Sequence, residues 1–223
     1  MMRKRVYEDG SYGFALNLPY ESIPDNYEIK SCLNNGYDLS YVSVMKMLFE
    51  KYKNKTFESA YELGIEFQNK DWCRQEIIKN QAFAFLESAI YLCTGVNSER
   101  DGETISNYVI PCAYCCRQAM ELFLKYCALV KGIETKKLIC HKLVKLWNIV
   151  DEKYIPNYDK LTNYIQELDT IDENGMALRY GLDKSFDIPK ENFEFNIDIM
   201  IHNSMYLINV LEEYVICKYK HRD

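Results

Sequence analysis

The chain has 223 residues, of which 48% are hydrophobic and 27% are charged, with 9 glycines and 5 prolines. This composition excludes collagen-like, low-complexity and disordered proteins, and the length allows a buried core without disulfides or metal. The formal net charge of −6 at pH 7 excludes a basic field over the whole molecule, although it is compatible with a local basic patch.

The first 70 residues carry the weakest periodicity. We predict an irregular N-terminal arm over residues 1–36, where the alternating residues Tyr12, Phe14, Leu16 and Leu18 suit one short β-strand. Apolar residues at helical spacing between Val42 and Phe67 predict a helical N-terminal extension over residues 37–70. The main body of the protein is therefore expected to begin after residue 70.

The chain lacks the patterns typical of secretion and of membrane insertion. Met1–Arg5 is basic, but charges and glycines follow it where a signal peptide has an apolar core. The longest apolar run, Val109–Cys116, has 8 residues, whereas a membrane-spanning helix needs about 20. We therefore expect a cytoplasmic protein without membrane contact.

Residues 71–223 are predicted to form one helical bundle. A long amphipathic helix is predicted over Asp71–Thr94, and the polar stretch Asn97–Glu103 is predicted to be a loop. The next helix is predicted over Thr104–Lys131, with Gly132 ending it. This second helix is apolar almost all round, so we expect it at the centre of the bundle.

The second half of the predicted bundle follows the same helical spacing. We predict helices over Leu138–Asp151 and Asn157–Ile171, a short segment over Glu173–Tyr180, a loop over Gly181–Pro189 and a last helix over Glu191–Lys218. The body of the chain has no alternation of strands and helices. The predicted fold class is therefore all-α, an up-and-down helical bundle.

Nine cysteines are scattered through apolar runs. An odd number without a secretory signal is typical of reduced thiols in a core. The spacing of Cys112, Cys115 and Cys116, with Cys140 and His141 further on, raises the alternative of a zinc site. Structural zinc sites put such a pair in a tight turn, whereas this pattern lies in an apolar helix. We therefore expect core packing, with no metal and no cofactor.

The predicted central helix carries one stripe of polar residues along its length. Arg117, Glu121 and Lys125 recur every four residues, so they share one face of that helix. Burying a lone charge is costly, which predicts partners for all three. The stripe is interpreted either as a set of structural ion pairs or as the lining of a polar cleft that holds a ligand.

A second arginine ends the short segment after residue 173. Arg179 and Tyr180 precede the pair Asp183-Lys184. An arginine here can fix a loop to a carboxylate such as Glu121 or Asp169, or it can meet an external phosphate. These residues join the stripe in our candidate polar cluster or ligand pocket.

Three histidines are the candidates for acid–base chemistry, because the chain has no glycine-rich phosphate loop, G-x-S-x-G or H-E-x-x-H motif. His221 lies at the end of the chain and is expected in solvent. His202 lies in the last predicted helix and is expected at a surface or interface. His141 is predicted to open a helix, where it can satisfy the helix N-terminus or a carboxylate.

Three motifs, in this order, resemble those of HEPN-like helical domains. Arg117–Lys125 resembles the R-x-A-x-E-x-x-L-K signature of the family, and His141–Trp147 resembles its H-x-L-x-x-L-W helix start. Asp169 followed by Arg179-Tyr180 is similar to its D-spacer-R-Y segment, with Gly181 where a proline is common. The resemblance covers the chain from about Asp71 onward.

The resemblance implies a helical bundle that pairs into a homodimer and belongs to prokaryotic defence, toxin–antitoxin pairs or nucleotide handling. Many active members of the family are metal-independent RNases with an R-x4–6-H motif. Here Leu122, Phe123 and Leu124 stand where that histidine would follow Arg117. Lys184, Ser185 and Phe186 stand there after Arg179, and the other arginines also lack a histidine at this spacing.

The preferred hypothesis is a non-catalytic HEPN-like module that associates with nucleotide, RNA or a protein partner in prokaryotic defence or stress response. The first alternative is a divergent metal-independent RNase that uses His141 or His202 with Arg179. The second alternative is a structural or antitoxin-like partner protein whose exposed apolar surface another protein covers.

Overall fold

The computed structural model describes residues 28–31, 74–98, 102–173, 175–182, 185, 187 and 195–220. Apart from residues 28–31, the predicted arm with its short strand lies outside the described residues. The predicted extension over residues 37–70 also lies outside them.

The described part of the chain is all-α, as predicted, and contains no β-strand. Its helices are α1 (Arg74–Ser98), α2 (Gly102–Val130), α3 (Leu143–Val150), α4 (Tyr158–Ile171), α5 (Ala177–Tyr180) and α6 (Ile197–Leu211). A 3₁₀ turn, Thr135–Leu138, lies between α2 and α3, and a π-helical turn, Glu212–Ile216, connects α6 to α7 (Cys217–Lys220). None of the helices described here is long and apolar enough to span a bilayer.

Helix α2 lies at the centre of this up-and-down bundle. It packs along α1 and also contacts α3, α5 and α6, while α4 packs on α3 and α6. Cys116, Met120, Phe123, Leu124 and Cys127 on α2 are all buried. The central position predicted from its all-round apolar pattern is confirmed, because only contacts on several sides can remove such a surface from water.

The end of α2 follows the prediction that Gly132 stops it. Gly132 adopts a φ of 78°, a left-handed conformation that glycine tolerates without steric cost. The Gly132 N–H donates to the Leu129 carbonyl (2.9 Å), and the Ile133 N–H donates to the Ala128 carbonyl (3.0 Å). This pair of bonds is a Schellman motif, which satisfies the last carbonyls of α2 and reverses the chain.

Two predicted boundaries, one before α2 and one after it, differ from the structure. The predicted loop Asn97–Glu103 is shorter, because α1 extends to Ser98 and α2 begins at Gly102. Polar residues lower helix propensity only slightly, so a polar stretch need not end a helix. The helix predicted from Leu138 begins only at Leu143, and His141 therefore lies in extended chain before α3.

The last helix begins later than predicted, at Ile197 instead of Glu191. The Asn196 side chain accepts a hydrogen bond from the Ile199 N–H (3.0 Å), which is the bond of an N-cap and fixes the start of α6. The N-terminal stretch 28–31 lies against this helix, where the Asn203 amide donates to the Lys30 carbonyl (2.8 Å). Part of the predicted arm thus packs on the bundle.

Candidate functional site

The polar stripe of α2 forms a chain of ion pairs along the helix. Arg117 and Glu121 are each 1% exposed, and Arg117 Nη1 donates to Glu121 Oε2 (3.3 Å). One turn further on, Lys125 Nζ donates to Glu121 Oε1 (2.7 Å). The Glu121 carboxylate therefore has a cation on each side along α2, which offsets the cost of burying it.

The remaining donors of Arg117 connect α2 to two other parts of the chain. Its Nε donates to the Asp172 carbonyl (2.7 Å), and its Nη2 donates to the His141 carbonyl (2.7 Å). Nη2 also lies 3.7 Å from Asp169 Oδ1. The planar guanidinium thus joins α2, the chain before α3 and the end of α4, a role that suits arginine better than lysine.

Asp169 brings α4 to the start of α3. Its Oδ1 accepts from the Leu143 N–H (2.8 Å) and its Oδ2 accepts from the Val144 N–H (2.9 Å). Burial raises the pKa of the Asp169 carboxyl, while these two N–H groups and Arg117 act in the opposite direction. Asp169 therefore caps α3 from a different helix, at the end where the helix dipole favours negative charge.

We call the set of contacts around Arg117 the buried cluster; it includes Glu121, Lys125, Asp169 and His141. Asp172 also belongs to it, although the sequence did not single this residue out. Its carboxylate accepts from the backbone N–H groups of Met176 (2.8 Å), Ala177 (3.1 Å) and Leu178 (3.3 Å), and so caps α5. Met176 occupies the N-cap position of α5, and Asp172 lies five residues before the helix begins, so no local capping pattern marked it. Asp172 thus fixes the turn whose carbonyl receives Arg117.

Gly175 shapes the same turn around the buried arginine. Its φ of 71° is left-handed. A Cβ at this position would lie 3.6 Å from Arg117 Nη1 and 4.0 Å from Arg179 Nη2. These are ordinary van der Waals distances, so it is the left-handed backbone and not a lack of space that favours glycine at this turn.

His141 is the member of the cluster that is open to solvent. Its side chain is 64% exposed, while its Nδ1 lies 3.1 Å from Glu121 Oε1. Its backbone carbonyl points inward and accepts from Arg117. A surface imidazole held by a buried carboxylate is an arrangement that can transfer protons, so His141 is the most accessible of the predicted acid–base groups that the structure describes.

Arg179 and Tyr180 are exposed and do not join the buried cluster. The Arg179 guanidinium lies over the Tyr114 ring (5.4 Å) and over the Tyr180 ring (5.7 Å). Within the described residues, Arg179 makes no ion pair with the carboxylates proposed for it from the sequence. Asp183 lies outside the described residues.

His202 is buried in the core rather than at a surface. It is 1% exposed, and its Nδ1 lies 2.7 Å from the Asp198 carbonyl one turn earlier on α6. Burial lowers the pKa of the imidazole, which keeps it neutral near neutral pH. A side chain in this position has no access to a polymeric substrate.

The cysteines of α1 and α2 that are described in detail are free thiols inside the bundle. Cys93 Sγ donates to Asp198 Oδ1 (3.1 Å), and Cys116 Sγ lies 2.9 Å from Ser204 Oγ. Burial raises the pKa of the Cys116 thiol to about 12, so it stays protonated and unreactive. In the described residues no group of cysteine, histidine and acidic side chains is arranged to hold a metal ion.

No family model, curated protein or solved structure matches this chain. We therefore infer the chemistry of the site from its geometry alone. That geometry combines a closed ionic cluster, a solvent-facing His141 on one edge of it, and a separate exposed arginine stacked on two tyrosines.

Proposed function

We propose that the chain is a non-catalytic HEPN-like module of a prokaryotic defence or stress-response system, which acts in the cytoplasm as a homodimer and binds RNA without cleaving it. The observation that carries this proposal is the enclosure of Arg117. A metal-independent RNase of the R-x4–6-H type uses an arginine that reaches the phosphate of its substrate, where it stabilises the developing charge. Arg117 is instead 1% exposed and is engaged by backbone carbonyls and carboxylates on every side.

The cluster is better suited to fixing the fold than to binding a ligand. Each polar group of Arg117 already has a protein partner, so a ligand would have to displace hydrogen bonds of 2.7 Å. Such displacement leaves buried carbonyls without donors, which costs about 1–3 kcal/mol for each group. The candidate ligand pocket is therefore reinterpreted, within this proposal, as a structural cluster that positions the surface above it.

A second candidate function is a divergent metal-independent RNase, and the exposed His141 favours it. The Glu121 carboxylate lies 3.1 Å from the His141 Nδ1. This contact orients the imidazole in the way that an acidic partner orients a catalytic histidine. This mechanism would need a second charged group beside the substrate phosphate. His202 cannot supply it, because that side chain is buried, so the exposed Arg179 is the charged partner of His141 in this hypothesis.

A cleavage assay separates the two functions. Purified protein is incubated with end-labelled RNA in the presence of EDTA, and binding is followed in parallel by fluorescence anisotropy. We expect bound, intact RNA with the wild-type chain and with His141→Ala. Cleavage by the wild-type chain that His141→Ala abolishes would establish the RNase and reject the non-catalytic module.

The homodimer proposal is supported by an exposed apolar patch at one end of α1 and α2. Tyr91, Ile110 and Tyr180 are each about half exposed, and Arg179 connects Tyr180 to Tyr114. Cys112 Sγ donates to the Ala89 carbonyl (3.1 Å), which places Ile110 level with Tyr91 along the antiparallel pair. Clustered apolar side chains of this kind are typical of protein–protein contacts. An antitoxin-like partner could use the same patch.

A further inference from the structure

A run of basic side chains lies on the surface beside the buried cluster. Residues 135–145 contain four lysines and a histidine but no acidic residue, although the whole chain has a net charge of −6. All five are exposed: Lys136, Lys137, His141, Lys142 and Lys145. This stretch, which we call the basic segment, is the local patch that the composition allowed.

Two surface grooves flank the basic segment. The first, of about 280 Å³, is lined by Thr135 and Ile139 from the segment and by Arg74 of α1 and Lys125 of α2. Arg74 therefore adds one further cation on this side of the segment, whereas Lys125 is already paired with Glu121.

The second groove, of about 810 Å³, lies between α3 and α4. Lys142 and Lys145 of the basic segment line it together with the uncharged polar side chains Asn148, Gln166 and Thr170. Asp169 and Glu173 also line it, but Asp169 is engaged by the N-terminus of α3 and Glu173 pairs with Lys142. With Lys142 paired to Glu173 and Asp169 close to Arg117, Lys145 is the lysine of this lining that is left to meet an external phosphate.

The buried cluster holds this surface in place before any ligand arrives. Arg117 binds the His141 carbonyl in the middle of the segment (2.7 Å). Asp169 caps the first two residues of α3, where the segment becomes helical. Lysines on a backbone that is already ordered bind with a smaller entropy cost than lysines on a flexible tail.

We propose that the basic segment binds the sugar–phosphate backbone of single-stranded RNA, which passes from one groove to the other across residues 135–145. This inference rests on the proposed function, because it names the surface through which the module binds RNA. Spaced lysines suit a chain of phosphates, and the amides and hydroxyl of the second groove can donate to phosphate or to the ribose 2′-oxygen, which remains an acceptor when methylated. Ile139, which is 83% exposed, offers an apolar contact for a base.

The test compares two charge-matched double variants. Lys136→Gln/Lys145→Gln removes one cation near each end of the basic segment. Lys153→Gln/Lys160→Gln removes two exposed lysines that lie outside it. Binding of a labelled 2′-O-methyl oligouridine, which cannot be cleaved through its 2′ position, is measured by anisotropy between 50 and 200 mM KCl. Far-UV circular dichroism checks that both variants remain folded.

We expect Lys136→Gln/Lys145→Gln to weaken binding at least about tenfold near 100 mM salt and to reduce the salt slope by about 1.4, since each phosphate contact on a single strand contributes about 0.7. The control pair should stay within about twofold of the wild-type chain. Equal binding by both variants would overturn the basic segment as the site and leave RNA binding by the module intact.

Two further outcomes separate the inference from the proposed function. A wild-type chain that binds vesicles containing phosphatidylglycerol but not the oligonucleotide would assign the segment to a lipid surface. Cleavage of unmodified RNA, with unchanged binding of the 2′-O-methyl probe through the segment, would reject only the non-catalytic function. Failure of the surface and failure of the proposed function are thus distinguishable.

Discussion

At the scale of single residues, Arg117 shows how a charge can be buried deep in a helical bundle. Burying a guanidinium costs several kcal/mol unless its charge and its donors are satisfied. Here Glu121 and Asp169 supply negative charge, while the carbonyls of Asp172 and His141 accept from the remaining N–H groups. Those carbonyls in turn depend on Arg117, because few other donors reach the interior.

We predict that Arg117→Met lowers the free energy of unfolding by about 3–5 kcal/mol, because it leaves inward carbonyls and carboxylates without their cation. The measurement is urea unfolding followed by circular dichroism. The matched control is Arg179→Met, which removes an exposed arginine stacked on tyrosines and should cost at most about 1 kcal/mol. Equal losses in the two variants would contradict a structural role for the buried cluster.

At the scale of elements, the start of α3 depends on a side chain from another helix. Lys142 occupies the N-cap position of α3 and makes no side-chain capping bond. Asp169 of α4 takes over that function for the N–H groups of Leu143 and Val144. The contact also presents Lys142 and Lys145 at the edge of the second groove, so a helix cap determines the geometry of a candidate binding surface.

Asp169→Ala is expected to destabilise the protein by about 1–3 kcal/mol, since two N–H groups lose their acceptor at a partly buried site. Hydrogen exchange of the Leu143 and Val144 amides should accelerate more than exchange in the centre of α2. Thr170→Ala, the neighbouring exposed position on α4, serves as the control and should change neither quantity appreciably. Unchanged exchange at the start of α3 in Asp169→Ala would reject this cap.

The sequence predicted contacts within one helix better than contacts between segments. The spacing of Arg117, Glu121 and Lys125 placed them on one face, and Gly132 marked the end of α2, because both signals are local. The start of α3 was wrong by five residues, since its cap lies 26 positions away at Asp169. Asp172 was missed because its carboxylate lies outside the N-cap position of α5 and because the acceptance of Arg117 by its backbone carbonyl does not depend on residue type.

At the scale of the whole molecule, a second ionic cluster connects the C-terminal helix to the rest of the bundle. Glu152 is buried and lies 2.8 Å from Lys131 Nζ and 3.3 Å from Lys218 Nζ. Tyr219 also donates to its carboxylate (2.8 Å). Arg117 thus ties α3 and α5 to α2, and Glu152 ties α7 to the end of α2.

The outer end of α1 and α2 is where we expect two copies of the chain to meet. A specific dimer buries about 800 Å² on each partner, with apolar and aromatic side chains near its centre. Tyr91, Ile110 and Tyr180 are exposed here. A charge introduced among them would be buried without a partner in the dimer, at a cost of several kcal/mol.

We predict that the wild-type chain, whose mass is 26.4 kDa, elutes as a dimer in size-exclusion chromatography with light scattering at micromolar concentration. Ile110→Arg should shift it to the monomer while leaving circular dichroism unchanged, because the substituted side chain is exposed in the single chain. Ile139→Arg places the same charge at the exposed isoleucine of the basic segment and should leave the dimer intact. A wild-type monomer would reject the homodimer, and dissociation by both variants would show that the interface is not confined to the patch around Ile110.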